Sequence, residues 1–475
     1  VVDTRFRDSV TFTVTTIDPN SLRTIDGKEI LDFSARFLMM LRSAQITYQE
    51  QRGISLPGFD MEPKLFGQRN INGIMSPGLE FAFGMPRMDF LDRAVDNNWL
   101  VFNDSIVSQA NINFTSNLDI RALVEPISGL KININARRMY SNMNSIQLQS
   151  RLTQFSGNYQ MTYVSIGTAF WEQSNMIGNQ RAFELFNIYR ATVADNINGR
   201  YTGTMYPHGG FMDETGLGGQ LFDPSKGAAR STSIDAMVPA FLAAYSNRSL
   251  SDRNNLIPAL WDLLPNWTIS YDGLTQIPFI QKNLQKVTLN HSYQNMYSIN
   301  SYTSFADFVS NSDGLGFTKD IISGNPIPSS GYDIAAVTIT ENFAPLLGVD
   351  VAFKNSLTTT LRYNRSRIIT LNTTSLQIGE VYSNEIQIGF GYIIKDFDLI
   401  LKLKTSKTKK VKNNLTTRVD FALKDMSTLL RKIDSNEPPQ ATSGNKLFTI
   451  KAMAEYIFSS KLNFRLFFDY TSNAP

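Results

Sequence analysis

Two histidines, His208 and His291, and no cysteines stand among 475 residues. The absence of cysteine excludes disulfides, thiolate metal sites and cysteine nucleophiles. Either histidine could still serve a serine or an aspartate as a base. His291 lies in the strand-like run Thr288-Leu289-Asn290-His291-Ser292-Tyr293, whose neighbouring strands could bring both partners. A histidine hydrogen-bonded within a sheet is the simpler reading. His208, in Pro207-His208-Gly209-Gly210, has Asp213, Glu214 and Asp223 nearby in sequence, but their spacing fits no metal-ligand template. Gly216, Gly218 and Gly219 are not followed by the lysine–serine/threonine pair of a phosphate loop. The expectation is a non-enzymatic chain with no catalytic, cofactor-binding or metal-binding residues.

The elements that must position these groups are mostly strands. Phe448, Ile450, Ala452, Ala454, Tyr456 and Phe458 alternate with Thr449, Lys451, Met453, Glu455 and Ile457. Leu462, Phe464, Leu466, Phe468 and Tyr470 do the same, and only Ser459 to Lys461 separate the two runs. Successive strand residues point to opposite faces, so this is a hairpin with one apolar and one polar face. On the polar phase fall Asn111, Asn113, Asn133, Asn135, Arg137, Thr358, Thr360, Arg362, Gln387, Arg418 and Asp420. A lining so mixed in sign predicts a wide, wet lumen with little charge selectivity, since selective pores use rings of one charge.

Charged residues are 18% of the chain, below the usual quarter or so, while aromatics reach 11%. That balance suits a transmembrane β-barrel, although a large soluble β-protein would share it. The net charge of +3 argues for neither nucleic acid nor an anionic membrane surface as a partner. The basic cluster Lys402 to Lys412 reads as a solvated hairpin tip. The longest wholly apolar run, Phe37 to Leu41, is far short of the roughly 20 residues a helical span needs. The opening, Val1-Val2-Asp3-Thr4, has no export signal, and an exported protein without one is expected to be a fragment or a processed product.

The expected class is all-β, an antiparallel transmembrane barrel with long loops and one mainly helical insertion. Residues 1–171 are expected to hold barrel strands with a long Gly/Pro-rich loop at 53–104. A short strand at Val10 to Thr16, a turn at Asp26-Gly27 and a long strand from about Ile30 to Gln49 open it, and strands at 108–124, 129–141 and Tyr159 to Trp171 follow the loop. Helical spacing in Ala182-Phe183-Leu185-Phe186-Tyr189 and Ala236-Val238-Phe241-Leu242-Tyr245 marks 172–265 as a helical loop insertion. Phe241, Leu242 and Tyr245 share one helical face. That face either packs on the insertion's own core, the simpler reading, or caps the rim and docks a partner. Residues 266–475 read as a strand meander, with limits near 284–299, 334–341, 349–354, 357–374, 380–394, 399–408, 415–424, 447–458 and 462–470. Tight turns are expected at Lys354–Ser356, Lys395–Asp398 and Ser459–Lys461, and a long loop at Asp425–Asn445.

One region is more than generic. It reads Tyr332-Asp333-Ile334, Val337-Thr338-Ile339, Glu341, Phe343, Pro345-Leu346 and Gly348-Val349-Asp350, then Tyr363, Ser366-Arg367, Glu380-Val381, Gly391-Tyr392 and Lys395-Asp396-Phe397. Leu56-Pro57-Gly58-Phe59, Pro77-Gly78-Leu79-Glu80-Phe81, Pro239 to Tyr245 and Pro265-Asn266-Trp267 extend the pattern. This order resembles the C-terminal portion of the SprA/Sov family, the outer-membrane translocon of the Bacteroidetes type IX secretion system. The resemblance implies a very large barrel that passes folded cargo proteins bearing a C-terminal sorting domain to the cell surface, including the adhesins of gliding motility. It implies as partners a PorV-type small barrel at a lateral opening, a periplasmic plug protein, other periplasmic or lipoprotein subunits and outer-membrane lipid. It implies no cofactor. The alternative is a generic outer-membrane transporter or porin for small solutes.

Overall fold

The computed structural model describes residues 40–59, 64, 68–71, 74–83, 87, 89–103, 109–147, 153–171, 180–250, 256–310, 315–320, 323–402, 408–435, 437–459 and 462–474. The strand expected at Val10 to Thr16, the turn at Asp26-Gly27 and the start of the strand expected from Ile30 lie outside these residues. Strands make up 58% and helices 19%, so the all-β class holds as antiparallel sheet.

One sheet dominates. Its strands are β1 (Leu41–Ser55), β2 (Gln109–Val124), β3 (Leu130–Gln147), β4 (Thr153–Thr162), β5 (Asn266–Tyr271) and β6 (Leu284–Ser304). They continue as β7 (Ala336–Phe353), β8 (Leu357–Asn372), β9 (Gln377–Lys402), β10 (Thr408–Lys432), β11 (Gln440–Ser459) and β12 (Leu462–Ala474). All pairings between them are antiparallel, running from β1 at one edge to β12 at the other.

β4 and β5 are two halves of one rung. Arg138 of β3 pairs with Met161 of β4, and Asn135 of β3 pairs with Asn266 of β5. On the other side both halves pair with β6. The chain therefore leaves the ladder after Thr162, sets the described residues 163–171, 180–250 and 256–265 outside it, and re-enters at Asn266. This corrects the strand expected over Tyr159 to Trp171: it ends at Thr162, and Ile166–Ala169 is helical (α1).

Other boundaries differ for physical reasons. The runs 334–341 and 349–354 are one strand, β7, with a register shift against β8 between Phe343 and Leu347. Pro345 cannot donate to the ladder, so a bulge forms there and the strand continues. The turn expected at Lys395–Asp398 is also a bulge, inside β9, with Asp396 at φ 56°. The loop expected at Asp425–Asn445 is mostly ladder, because β10 runs to Lys432 and β11 starts at Gln440. Asp425 and Ser427 interrupt the apolar phase there, which hid the strand.

Within residues 163–265, α2 (Gln180–Tyr201) and α3 (Ile234–Ser246) pack together and onto the sheet. Their buried residues Phe186, Val193, Ala240 and Phe241 join strand residues Tyr297, Ile339, Ile369 and Leu371 in one core. Between residues 53 and 104, the helix Phe90–Asp96 covers Ala110, Ile112 and Ile146 of β2 and β3. It is held by Arg93, which donates both terminal nitrogens to Glu80 at 3.0 and 2.8 Å.

Candidate functional site

The register sorts every strand residue onto one of two faces. All eleven residues assigned to the lumen by alternation share the polar face. The pairs that place them include Asn113–Met143, Asn135–Arg121, Asp350–Thr360, Arg362–Gln387 and Gly391–Arg418. This face is hollowed across β1 to β7, where Gln45, Arg121, Asn135, Arg137, Gln294 and Asn342 help to line an open concavity of about 820 Å³.

Many charges on the polar face come in short-range pairs. Arg418 Nε lies 2.7 Å from Asp420, Arg121 Nε 2.7 Å from Asp119, and Arg465 Nη2 3.0 Å from Glu455. Asp350 faces Arg362 at 3.6 Å and accepts from Asn290 at 2.7 Å. Gly389 lets the Arg418–Asp420 pair lie over the sheet, because a Cβ there would collide with Asp420 Oδ1 and Thr360 Oγ1. The face is thus polar and mixed in sign along its surface.

The apolar face has two parts. Toward the β7–β8 and β11–β12 turns it is bare. Leu347, Leu361, Ile386, Ile388, Phe390, Tyr392, Phe421, Leu423, Phe448, Phe464 and Phe468 are all at least 37% exposed, and the register makes them neighbours. Toward the other end the same face lies under α1, α2 and α3.

The boundary between the two parts is a seam of buried polar groups. Arg367 on β8 and Glu341 on β7 are ladder partners, 2% and 1% exposed, with Arg367 Nε donating to Glu341 Oε2 at 2.5 Å. Arg367 also donates to Ser165 O at 2.8 Å and to Thr168 Oγ1 and O at 2.7 and 3.1 Å. Glu341 Oε1 accepts from Ser165 Oγ and from the Tyr293 hydroxyl, both at 2.7 Å. The ion pair therefore grips the first turn of chain that leaves β4. A second group lies beneath α3. Glu380 accepts from the Tyr245 and Tyr382 hydroxyls at 2.8 and 2.7 Å and faces Arg431 at 3.5 Å, with Glu380 0% exposed. Arg431 in turn donates to Gln180 of α2 at 2.9 Å. A buried charge is tolerated only when paired and hydrogen-bonded; the Glu341–Arg367 pair is both, whereas Arg431 is paired but keeps Nε and Nη2 without a hydrogen-bond partner.

The gap where the insertion leaves the ladder is also sealed. The Arg137 amide, opposite the break, donates to Thr162 Oγ1 at 3.1 Å, and the Asn295 amide donates to Asn266 Oδ1 at 2.8 Å. Burial and the nearby Glu380 charge push the Tyr245 hydroxyl well above its usual range. At the start of α3, burial raises the carboxyl of Asp235, against hydrogen bonds from Ser329 and Ser330.

His291 sits on the apolar face, its Nδ1 2.7 Å from the Leu346 carbonyl and its ring 6.3 Å from Phe343. It makes the sheet hydrogen bond of the simpler reading. His208 is exposed, 3.5 Å from Asp213 and against Gly218 and Gly219. Among the described residues no three acidic, histidine or cysteine side chains converge as metal ligands. The face of Phe241, Leu242 and Tyr245 is not a free docking surface: Phe241 and Tyr245 are fully buried against the strands and α2. Alternation missed the seam because its members are single polar residues on the apolar phase of their strands. That misplacement was itself the available signal.

The sequence matches no protein-family model, and a search of curated proteins finds no relative.

Proposed function

We propose that this chain is a section of the wall of a protein-conducting outer-membrane channel, of the type IX secretion kind to which its sequence has a resemblance. The observation that carries the reading is the two-faced sheet, with a continuous bare apolar band on one face and a hollowed, charge-paired polar lining on the other. From Phe448 to Phe458 the apolar phase of β11 runs eleven residues, about 33 Å along the strand. At the 35–45° tilt of outer-membrane strands this stands about 25 Å tall, the height of a lipid-facing band. Strands cross lipid only in closed barrels, so on this reading the edges at β1 and β12 meet further strands.

The mechanism is passive. A lining without a net field neither retains nor repels cargo by charge, and folded proteins bearing a C-terminal sorting domain pass along it. Partners of the PorV type and a periplasmic plug select cargo and close the conduit. The residues that carry the resemblance support the reading too: Glu341, Arg367, Glu380 and Tyr245 belong to the buried seam, and Asn266 closes the gap in the ladder.

Single-channel recording of the purified full-length protein in planar bilayers, paired with cargo export in a deletion strain, tests the proposal. A large conductance with almost no anion–cation preference and loss of cargo from the cell surface are expected. Small solute uptake with normal cargo export would replace it with the small-solute transporter.

A further inference from the structure

The insertion emerges at mid-strand, on the same face as the bare apolar band, so its underside must lie somewhere relative to that band. Phe170, just after α1, packs on Phe343 at 5.4 Å and under the Arg365 guanidinium at 5.1 Å. Phe343 and Arg365 are ladder partners, and the next pair toward the bare end is Leu347–Tyr363, where the band begins. On the opposite flank, Pro258 accepts from the Tyr159 hydroxyl and Leu264 donates to Thr162 O. Leu260 and Trp261 lie between these anchors, beside the end of β4. Phe170, Leu260 and Trp261 are 51%, 51% and 73% exposed.

Two guanidiniums stand on the apolar phase of these strands, one on each flank. Arg365 covers Phe170, and Arg138 lies 5.3 Å from the Tyr159 ring. Neither has a carboxylate within ion-pair distance among the described residues. Aromatic rings flush with the top of an apolar band, with unpaired guanidiniums beside them, form the belt expected at a membrane–water boundary. Long cationic side chains there extend along apolar surface toward phosphate.

We propose that the underside of the insertion is a lipid-contacting surface. Phe170, Leu260 and Trp261 enter the headgroup layer, and Arg138 and Arg365 meet lipid phosphate. The insertion would then stand on the membrane as a foot braced by the Glu341–Arg367 seam. This rests on the lipid-facing reading of the bare band, and continuity with that band is what favours lipid over a protein as occupant.

The cysteine-free chain allows a clean test. Trp261→Cys, Phe170→Cys, Leu221→Cys and Phe390→Cys variants of the full-length protein are labelled with an environment-sensitive fluorophore in phosphatidylglycerol nanodiscs. Leu221 is an exposed insertion residue outside this surface, and Phe390 lies within the band. Labels at 261 and 170 are expected to be quenched by headgroup nitroxide lipid and to show several-fold weaker iodide quenching than the label at 221. Iodide quenching equal to that at 221, or protection from both quenchers as under a protein partner, would overturn the proposal. The label at 390 separates the two levels. Quenched by mid-chain nitroxide lipid, it leaves the band reading standing whatever the foot does; quenched by iodide, it removes that reading itself.

Discussion

The covered and bare parts of the apolar face belong to the same strands and follow the same alternation, yet they differ in what they admit. Under the helices, β7 to β10 carry Glu341, Arg367, Glu380 and Arg431, all nearly inaccessible. A few residues along the same strands, the bare part has Leu347, Leu361, Ile388 and Phe421 at the outward positions. A polypeptide cover can supply hydroxyls and carbonyls to a buried ion pair, as Ser165 and Thr168 do. Hydrocarbon supplies none, so a charge there is costly. The change from charged to uncharged outward positions thus marks where the wall exchanges a protein neighbour for another surrounding.

The sharpest way to break this comparison is at the seam. Arg367→Met should destabilise the fold by about 3–5 kcal/mol, because it leaves the Glu341 carboxylate buried without its partner. Glu341→Gln combined with Arg367→Met should recover much of that loss, read from protease release of the insertion. In the bare part, Phe390→Arg should cost about 2–4 kcal/mol in a bilayer and little in aqueous solution, as judged by urea unfolding in vesicles against detergent-free refolding. Equal tolerance at 390 and 367 would erase the distinction between the two parts. Tyr245→Phe removes one hydroxyl from Glu380 and should cost about 1–3 kcal/mol, the cost of a lost buried hydrogen bond, visible as faster amide exchange in α3.

The smallest effect expected is a pH slope. Burial raises the Asp235 carboxyl, so the fold binds more protons there than the unfolded chain between the ordinary and the raised value. Stability from this group is then greatest below the ordinary carboxylate range and falls as pH rises through that window. Asp235→Asn should flatten the slope of α3 exchange against pH, and an unchanged slope would place its origin elsewhere.

Much of the wall was legible because alternation is a local property. Phe448 to Phe458, Thr358 to Arg362 and Asn111 with Asn113 reveal their faces without knowledge of their partners. Strand continuity was less legible. The runs on either side of Pro345 look like separate strands and Asp396 looks like a turn in sequence, but the ladder absorbs each as a bulge, since neighbouring strands hold both flanks. The seam was hidden for a different reason. Arg367 meets Thr168 across 199 positions of sequence, and no local pattern announces so distant a partner. The helices at 182–189 and 236–245 were found by their period, but their cover of the sheet follows from tertiary packing alone.

The divided rung of β4 and β5 has a consequence for how such a chain could vary. Thr162 and Asn266 stand one β3 position apart, either side of Ala136, and Thr162 Oγ1 and Asn266 Oδ1 close the break. Whatever is threaded between them leaves the register of β3 and β6 unaltered. The wall thus contains a socket in which an appendage could be enlarged, trimmed or exchanged for another without re-pairing a single strand.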